Sequence, residues 1–171
     1  MTQPGHGEPG SEVFPYVFGT YRLTEHHTAG AMSRTLPYLS ELQPEFFCEV
    51  SPELAAERGL VNGGWATIVT SRSAIEARVL VTRRMRPLLI DGATLHQIGL
   101  PYHWGGNGVS IGDPANDLLP QSLDPNVSIP ATKATSCDIV AGRRPRGPAL
   151  LEFVEGYRRR AGIRTEPGTE S

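Results

Sequence analysis

Trp65-Ala66-Thr67-Ile68-Val69-Thr70, then Ser71-Arg72-Ser73, then Ala74-Ile75-Glu76-Ala77-Arg78-Val79-Leu80-Val81-Thr82 is the run of residues that decides the fold class. Two segments rich in β-branched residues flank a short polar turn, which is how a pair of adjoining strands is written. In the second segment Ile75, Ala77, Val79 and Val81 alternate with Glu76, Arg78, Leu80 and Thr82. A period of two puts the first set on one face and a mostly polar set on the other, so the segment is a half-buried strand.

The same pattern of short strands continues in both directions. Phe14 to Arg22 reads as a first strand, Glu45 to Val50 as another, and Ala134 to Val140 as the last. Pro87 to Ile90 and Thr94 to Gly99 bracket Asp91-Gly92, a hairpin turn signal. A short helix is punctuated at both ends: Ser51 is the N-cap, Pro52 the first helical residue, Glu53 complements the dipole, and Gly59 stops the helix. Leu36 to Leu42 is either one helical turn or an irregular loop held by Pro37 and Pro44. Asn116-Asp117-Leu118-Leu119 forms a further turn. Pro148 to Ala161 is a helix with Leu150, Val154, Tyr157 and Ala161 on one face. Six or seven short strands with few helices predict a mainly β protein: a small closed β-barrel with short peripheral helices and a C-terminal helix. The 19 glycines and 15 prolines agree with many turns.

At 171 residues the chain suits one domain with a real core. Residues 1–12 are expected to be a disordered lead, 13–161 the folded domain and 162–171 a disordered tail. A net charge of −2 argues against a nucleic-acid or membrane-surface protein. No apolar run is long enough for a membrane span, and Met1 to Ser11 lacks the pattern of a signal peptide. The expectation is a soluble, cytoplasmic protein. Cys48 and Cys137 each sit inside an apolar strand, which favours buried free thiols over a disulfide. The basic runs Arg143-Arg144-Pro145-Arg146 and Arg158-Arg159-Arg160 lack interleaved aromatics and suit a solvated surface or a subunit contact.

Three places could carry chemistry. Tyr21-Arg22-Leu23-Thr24-Glu25-His26-His27-Thr28-Ala29-Gly30-Ala31-Met32 gathers an arginine, a carboxylate, two histidines, two hydroxyls and small residues in one turn. An arginine fork suits phosphate, and small residues let backbone N–H groups approach a ligand. The same cluster also suits a polar turn around a buried, satisfied histidine. Pro101-Tyr102-His103-Trp104-Gly105-Gly106 is either a stacking wall for a flat ring or a capped strand end. Asn116-Asp117 and, downstream, Lys133 could read a heterocycle edge, or the first two could simply cap a turn. No nucleophile elbow, phosphate-binding P-loop, dinucleotide fingerprint or paired-cysteine motif is present, so neither a catalytic nor a metal-ligating residue is assigned.

Phe14-Pro15-Tyr16-Val17-Phe18 followed by Tyr21 to Gly30 resembles the opening of the C-terminal molybdopterin-dinucleotide-binding domain of formate dehydrogenase large subunits, within the dimethyl-sulfoxide-reductase family. The likeness continues through Pro37 to Phe47, Gly63-Gly64-Trp65-Ala66, Gly99 to Gly105, Asn116 to Leu119 and Cys137-Asp138-Ile139, and spans roughly residues 13–161. The resemblance implies a double-psi β-barrel covering two pterin guanine dinucleotides that together hold one molybdenum or tungsten ion. It implies that Arg22, Glu25, His26, Thr28, Ala29 and Met32 lie against the molybdopterin guanine dinucleotide cofactor. His103 and Trp104 would sit near a pterin, and Asn116, Asp117 and Lys133 would be further contacts. Thr132 stands where relatives often carry a tyrosine. The implied metal ligand belongs to an upstream domain outside this chain. The implied partners are the remainder of the formate dehydrogenase large subunit and its other subunits. The alternative, from another class, is a non-catalytic accessory or interaction protein that docks on a molybdoenzyme subunit without binding cofactor.

Overall fold

A computed structural model describes residues 11–120, 123–129 and 134–163. The strands are β1 (Tyr16–Tyr21), β2 (Phe47–Val50), β3 (Trp65–Val69), β4 (Ala74–Val81), β5 (Leu88–Ile90), β6 (Ala93–Leu95), β7 (Gln97–Pro101) and β8 (Ala134–Ala141). Six of them close a barrel in the order β1-β7-β2-β4-β3-β8, while β5 and β6 form a separate hairpin. The helices are α1 (Pro37–Leu42), α2 (Pro52–Arg58) and α3 (Pro148–Arg160), with 3-10 turns at Ser33–Thr35 and Ala115–Leu118. The expected lead and tail fall largely outside the described residues, as does Lys133. Among the described residues no helix is long and apolar enough to cross a membrane.

The barrel interior is built from the alternation that the sequence displays. Ile75, Ala77 and Val79 of β4 point inward and join Ile68, Ile98, Leu100 and Ile139 in one buried cluster. Cys48 and Cys137 are both free and fully buried in that cluster, as their apolar settings predict. Burial pushes the Cys48 thiol up to about 12, so it stays protonated and behaves as a small apolar group. A second cluster joins Phe14, Val69 and Ala74 to Val154 and Tyr157, seating α3 on the outside of the barrel.

The helix punctuation is as read. The Ser51 hydroxyl accepts from the Leu54 N–H at 3.0 Å, and Gly59 closes α2 at φ 63. Three expectations shift. The first strand begins at Tyr16, because Phe14 leaves the ladder to stack on Tyr157 of α3, 5.9 Å between ring centroids. The expected strand Thr94–Gly99 is two: β6 belongs to the hairpin and β7 to the barrel, and His96 separates them. The His96 carbonyl accepts from Val17 N at 3.2 Å, and its ring meets Ser51 and the edge of Tyr16. Glu76, on the expected polar face of β4, is buried beneath Arg143 and Arg146.

Ser51→Ala removes the one side-chain cap of α2 and is expected to lower stability by about 1 kcal/mol in urea unfolding. Ser51→Asp, which keeps an acceptor, is expected to restore most of it.

Candidate functional site

Strand direction decides which loops meet. β1 and β7 are parallel neighbours in register, Tyr21 opposite Pro101, so the segments that follow them leave the same rim side by side. β3 is antiparallel to β4, which is parallel to β2, which is antiparallel to β7. The turn after β3 therefore lies on that rim too, and so does the start of β8, which is antiparallel to β1. Four stretches distant in sequence, after residues 21, 69 and 101 and before residue 134, share one end of the barrel.

Two of these segments are bolted together. Tyr102 N donates to Tyr21 O at 3.0 Å, and the Arg22 guanidinium lies 4.1 Å above the Tyr102 ring. His103, with 0% exposure, bridges the loops through both ring nitrogens. Its Nε2 accepts from Leu23 N at 2.6 Å, which requires the proton to sit on Nδ1, from where it is donated to Thr28 O at 2.5 Å. Burial lowers the His103 pKa below the ordinary histidine value, despite the opposing pull of the Thr28 carbonyl. A second proton on Nε2 would face the Leu23 N–H directly.

Arg34 completes the joint. Its side chain is buried, and Nε donates to His103 O at 2.7 Å. Nη1 donates to Gly105 O at 3.2 Å, to Ser110 O at 3.0 Å and to Asn107 O. Its backbone carbonyl receives Val109 N at 2.7 Å and the Ser40 hydroxyl at 3.0 Å. Two glycines make the approach possible: a Cβ on Gly30 would lie 2.0 Å from His103 O, and one on Gly108 would lie 2.7 Å from Arg34 O. Both also have positive φ, which side chains resist.

His26 is buried beneath the same turn. Nε2 lies 3.2 Å from Gln43 O and Nδ1 3.1 Å from Ser33 Oγ, while the ring packs edge-on to Trp104 at 5.1 Å. Trp104 fills the space between His26 and Phe46, and its Nε1 has no hydrogen-bond partner among the described residues. The predicted site residues thus divide. His26, His103 and Trp104 are interior and hold the loops. Arg22, Thr28, Ala29 and Met32 are exposed, Met32 at 66%, with Glu25 half-buried beside them.

Asn116 and Asp117 are exposed on the 3-10 turn whose Ala115 and Leu118 are buried. That turn is tied to the β3–β4 turn, since Thr70 Oγ1 donates to Leu118 O at 3.0 Å and Arg72 Nη1 to Leu119 O at 2.8 Å. Burial, and then the Asp113 carboxylate, push the Asp117 carboxyl up. No hydrogen bond, ion pair or ring contact among the described residues joins this group to the Arg22–Met32 turn. Among the described residues no three His, Cys, Asp or Glu side chains gather as a metal site. Arg34 is the residue that sequence reading misses. Its partners are backbone carbonyls some seventy residues away, which no local spacing reveals.

Two outcomes follow from the joint. Because the folded pKa of His103 is depressed, its contribution to stability is complete above the unfolded value near 6.5 and is lost as pH falls through that value toward the folded one. The melting temperature is expected to drop between pH 7 and 5, and His103→Gln is expected to flatten that part of the profile. Arg34→Lys replaces a planar fork by a single ammonium and is expected to cost about 2 kcal/mol in urea unfolding, with new protease cutting in residues 102–113.

The sequence matches the family described as Molydopterin dinucleotide binding domain over residues 16–136, from the first barrel strand into the last. It is 42% identical over 125 residues to the formate dehydrogenase subunit alpha of Megalodesulfovibrio gigas, covering 71% of this chain and 12% of that protein. It is 43% identical over 124 residues to the nitrate-inducible formate dehydrogenase major subunit of Escherichia coli, covering 72% of this chain and 12% of that one. The chain therefore spans about an eighth of the length of these relatives. Among solved structures, acetylene hydratase from Pelobacter acetylenicus superposes with a TM-score of 0.54 at 16% identity, over 72% of this chain and 18% of that one, a likeness of fold alone. Since the match runs from the first barrel strand into the last and takes in both bolted loops, this chain belongs to the molydopterin dinucleotide binding domain family.

Proposed function

We propose that this chain, over residues 13–161, is the cofactor-binding domain of a formate dehydrogenase large subunit and covers molybdopterin guanine dinucleotide on the rim where its loops meet. The observation that carries this reading is the division of the rim. The buried His26, His103 and Arg34 are engaged inside the joint, while the groups left outside suit an anionic, heterocyclic ligand. The Arg22 guanidinium has one face on Tyr102 and no hydrogen-bond partner among the described residues, so its N–H edge can take a phosphate in bidentate fashion. Thr28 has φ 46, and the N–H groups of Thr28, Ala29 and Met32 have no backbone partner among the described residues. Such N–H groups beside a guanidinium fit a pyrophosphate.

Glu25 and Asp117 would accept from amino groups of the ring systems, and Asn116 would read a ring edge. These residues stand on the same rim, which lets one extended dinucleotide reach from the first turn toward the second. His26, His103 and Trp104 would act through the turn that they hold. Lys133, outside the described residues, would join from the segment entering β8. When bound, the dinucleotide would supply the redox chemistry, and the protein ligand to its metal would lie outside this chain. This chain's part is binding, orientation and exclusion of water. The pairing of two parallel strand couples, β1 with β7 and β2 with β4, inside a closed six-stranded barrel supports a double-psi topology. The sequence identity of about two in five to formate dehydrogenase subunits supports formate oxidation as the reaction of the parent enzyme.

The test is thermal. Molybdopterin guanine dinucleotide released from a purified molybdoenzyme is expected to raise the melting temperature of the chain, and Arg22→Ala with Asn116→Ala is expected to abolish the rise without lowering the unliganded value. Indifference of the wild-type chain, or an equal rise in the double variant, overturns the assignment.

A further inference from the structure

The flank of the barrel, on the outer side of the loop that follows β7, holds a second arrangement of charged and aromatic groups. A cleft of about 340 Å³ opens between Phe46, Trp65, Glu76, Ile111, Arg143 and Arg146. Trp65 is clamped on both faces: the Arg78 guanidinium lies 4.2 Å from its ring centroid and that of Arg143 4.4 Å. No ligand ring can stack on that indole. Its effect is to hold the Arg143 guanidinium flat against the wall of the cleft.

Glu76, buried at the base, is shared. Its Oε1 accepts from Arg143 Nε at 3.1 Å, from Arg143 Nη2 at 2.7 Å and from Arg146 Nη2 at 2.6 Å. Burial raises the Glu76 carboxyl, but the hydrogen bonds from Arg143 and Arg146 outweigh it and keep it ionised. Asp113, the next carboxylate, is already taken by Arg144 through Nε at 2.6 Å and Nη2 at 3.0 Å, and Glu45 is taken by Arg78. The wall and its immediate partners therefore carry three carboxylates against four guanidiniums. The surplus positive charge lies on Arg143 and Arg146, which share one acid and are 57% and 54% exposed. Of the five N–H donors that each guanidinium carries, Arg146 uses one and Arg143 two among the described residues. Opposite them the lining is apolar: Phe46 is buried and Ile111 is 62% exposed.

We propose that this cleft is an anion site, separate from the rim, that takes a small organic oxyanion with its phosphate or carboxylate head on Arg143 and Arg146 and its apolar body against Phe46 and Ile111. The site comes ready-made. Glu76 fixes both arginines, Trp65 fixes the plane of one, and Ile111 and Gly112 belong to the segment that follows β7, whose Gly112 N is anchored to Gly105 O at 3.3 Å. Glu45 at the cleft edge disfavours ligands carrying a second negative charge. The inference does not rest on the cofactor reading.

Phenyl phosphate and inorganic phosphate are suitable probes, titrated into the isotope-labelled chain and followed by amide and indole N–H resonances. Phenyl phosphate is expected to give saturable shifts at the Trp65 indole and at the amides of residues 111–113 and 143–146, and to bind about tenfold more tightly than inorganic phosphate. Arg146→Ala leaves Glu76 paired with Arg143, so the fold is expected to persist while affinity falls at least tenfold. Ile111→Ala is expected to bring phenyl phosphate down to the level of inorganic phosphate. Arg83→Ala, at an exposed arginine outside the cleft, is expected to leave both titrations unchanged. Absence of saturable shifts up to about 10 mM, an equal response in Arg146→Ala, or loss of binding in Arg83→Ala overturns the proposal.

Discussion

The candidate site depends on one buried cation that has no counter-charge. Arg34 is 3% exposed, and its side chain meets backbone carbonyls where a carboxylate would be expected. A desolvated guanidinium left unpaired would be untenable, and burial does lower its pKa. Four carbonyl dipoles converging on one fork meet most of its donors and leave it charged. Those carbonyls belong to His103, Gly105, Asn107 and Ser110, so satisfying the cation and shaping the second loop are the same event. A carboxylate partner would have neutralised the charge without fixing four backbone positions. This choice of partner makes an irregular, glycine-rich segment behave as a rigid wall.

The remaining buried polar groups obey the same constraint. His103 and His26 have both ring nitrogens facing named partners. On the outside of the loops the exposed Arg22 and His27 stand beside the half-buried Glu25. Histidines that hold a turn through both nitrogens cannot also donate to a ligand while the turn stays in place. What they fix is the position of the Thr28 carbonyl and of Ser33, next to Met32. Among the described residues three buried side-chain atoms depart from the constraint, Tyr21 Oη, Arg58 Nε and Trp104 Nε1, and each such unmet group costs about 1–3 kcal/mol.

How much of this could be read from the chain follows the range of the interactions involved. Period-two alternation in β4, the Ser51 cap with Gly59, and the Asp91-Gly92 turn are local, and the structure holds each of them. Asp91 and Gly92 both take positive φ, as a tight hairpin demands. The polar cluster at 22–32 was visible as a cluster. Which of its members face inward was not, because His103, eighty residues beyond Leu23, decides it. The break at His96 was hidden because the apolar pattern runs through it, while the pairing partners change from β5 to β1. Glu76 was assigned to solvent by alternation alone. Its burial depends on three arginine-bearing residues after β8 that fold back over β4.

Strand polarity is the reason that distant residues can form a site here. In a barrel made only of consecutive hairpins, successive loops alternate between the two rims, and each loop meets its sequence neighbours but one. The parallel couple β1 and β7 breaks that rule, since both strands end at the same rim with residues 22–96 lying between them in the chain. The second parallel couple, β2 and β4, points the other way, because β2 is antiparallel to β7. Its ends lead into α2 and toward the β5–β6 hairpin, where Thr82 N donates to Val50 O at 2.9 Å and Arg84 pairs with Glu49. The two couples thus give the barrel two unlike ends. One is closed by a capped helix and an ion pair, and the other carries the bolted loops, with Arg22 stacked on Tyr102 outside them. A barrel of this polarity gathers at one end residues that the chain order keeps apart, and the exposed arginine, the left-handed turn and the exposed methionine all stand there.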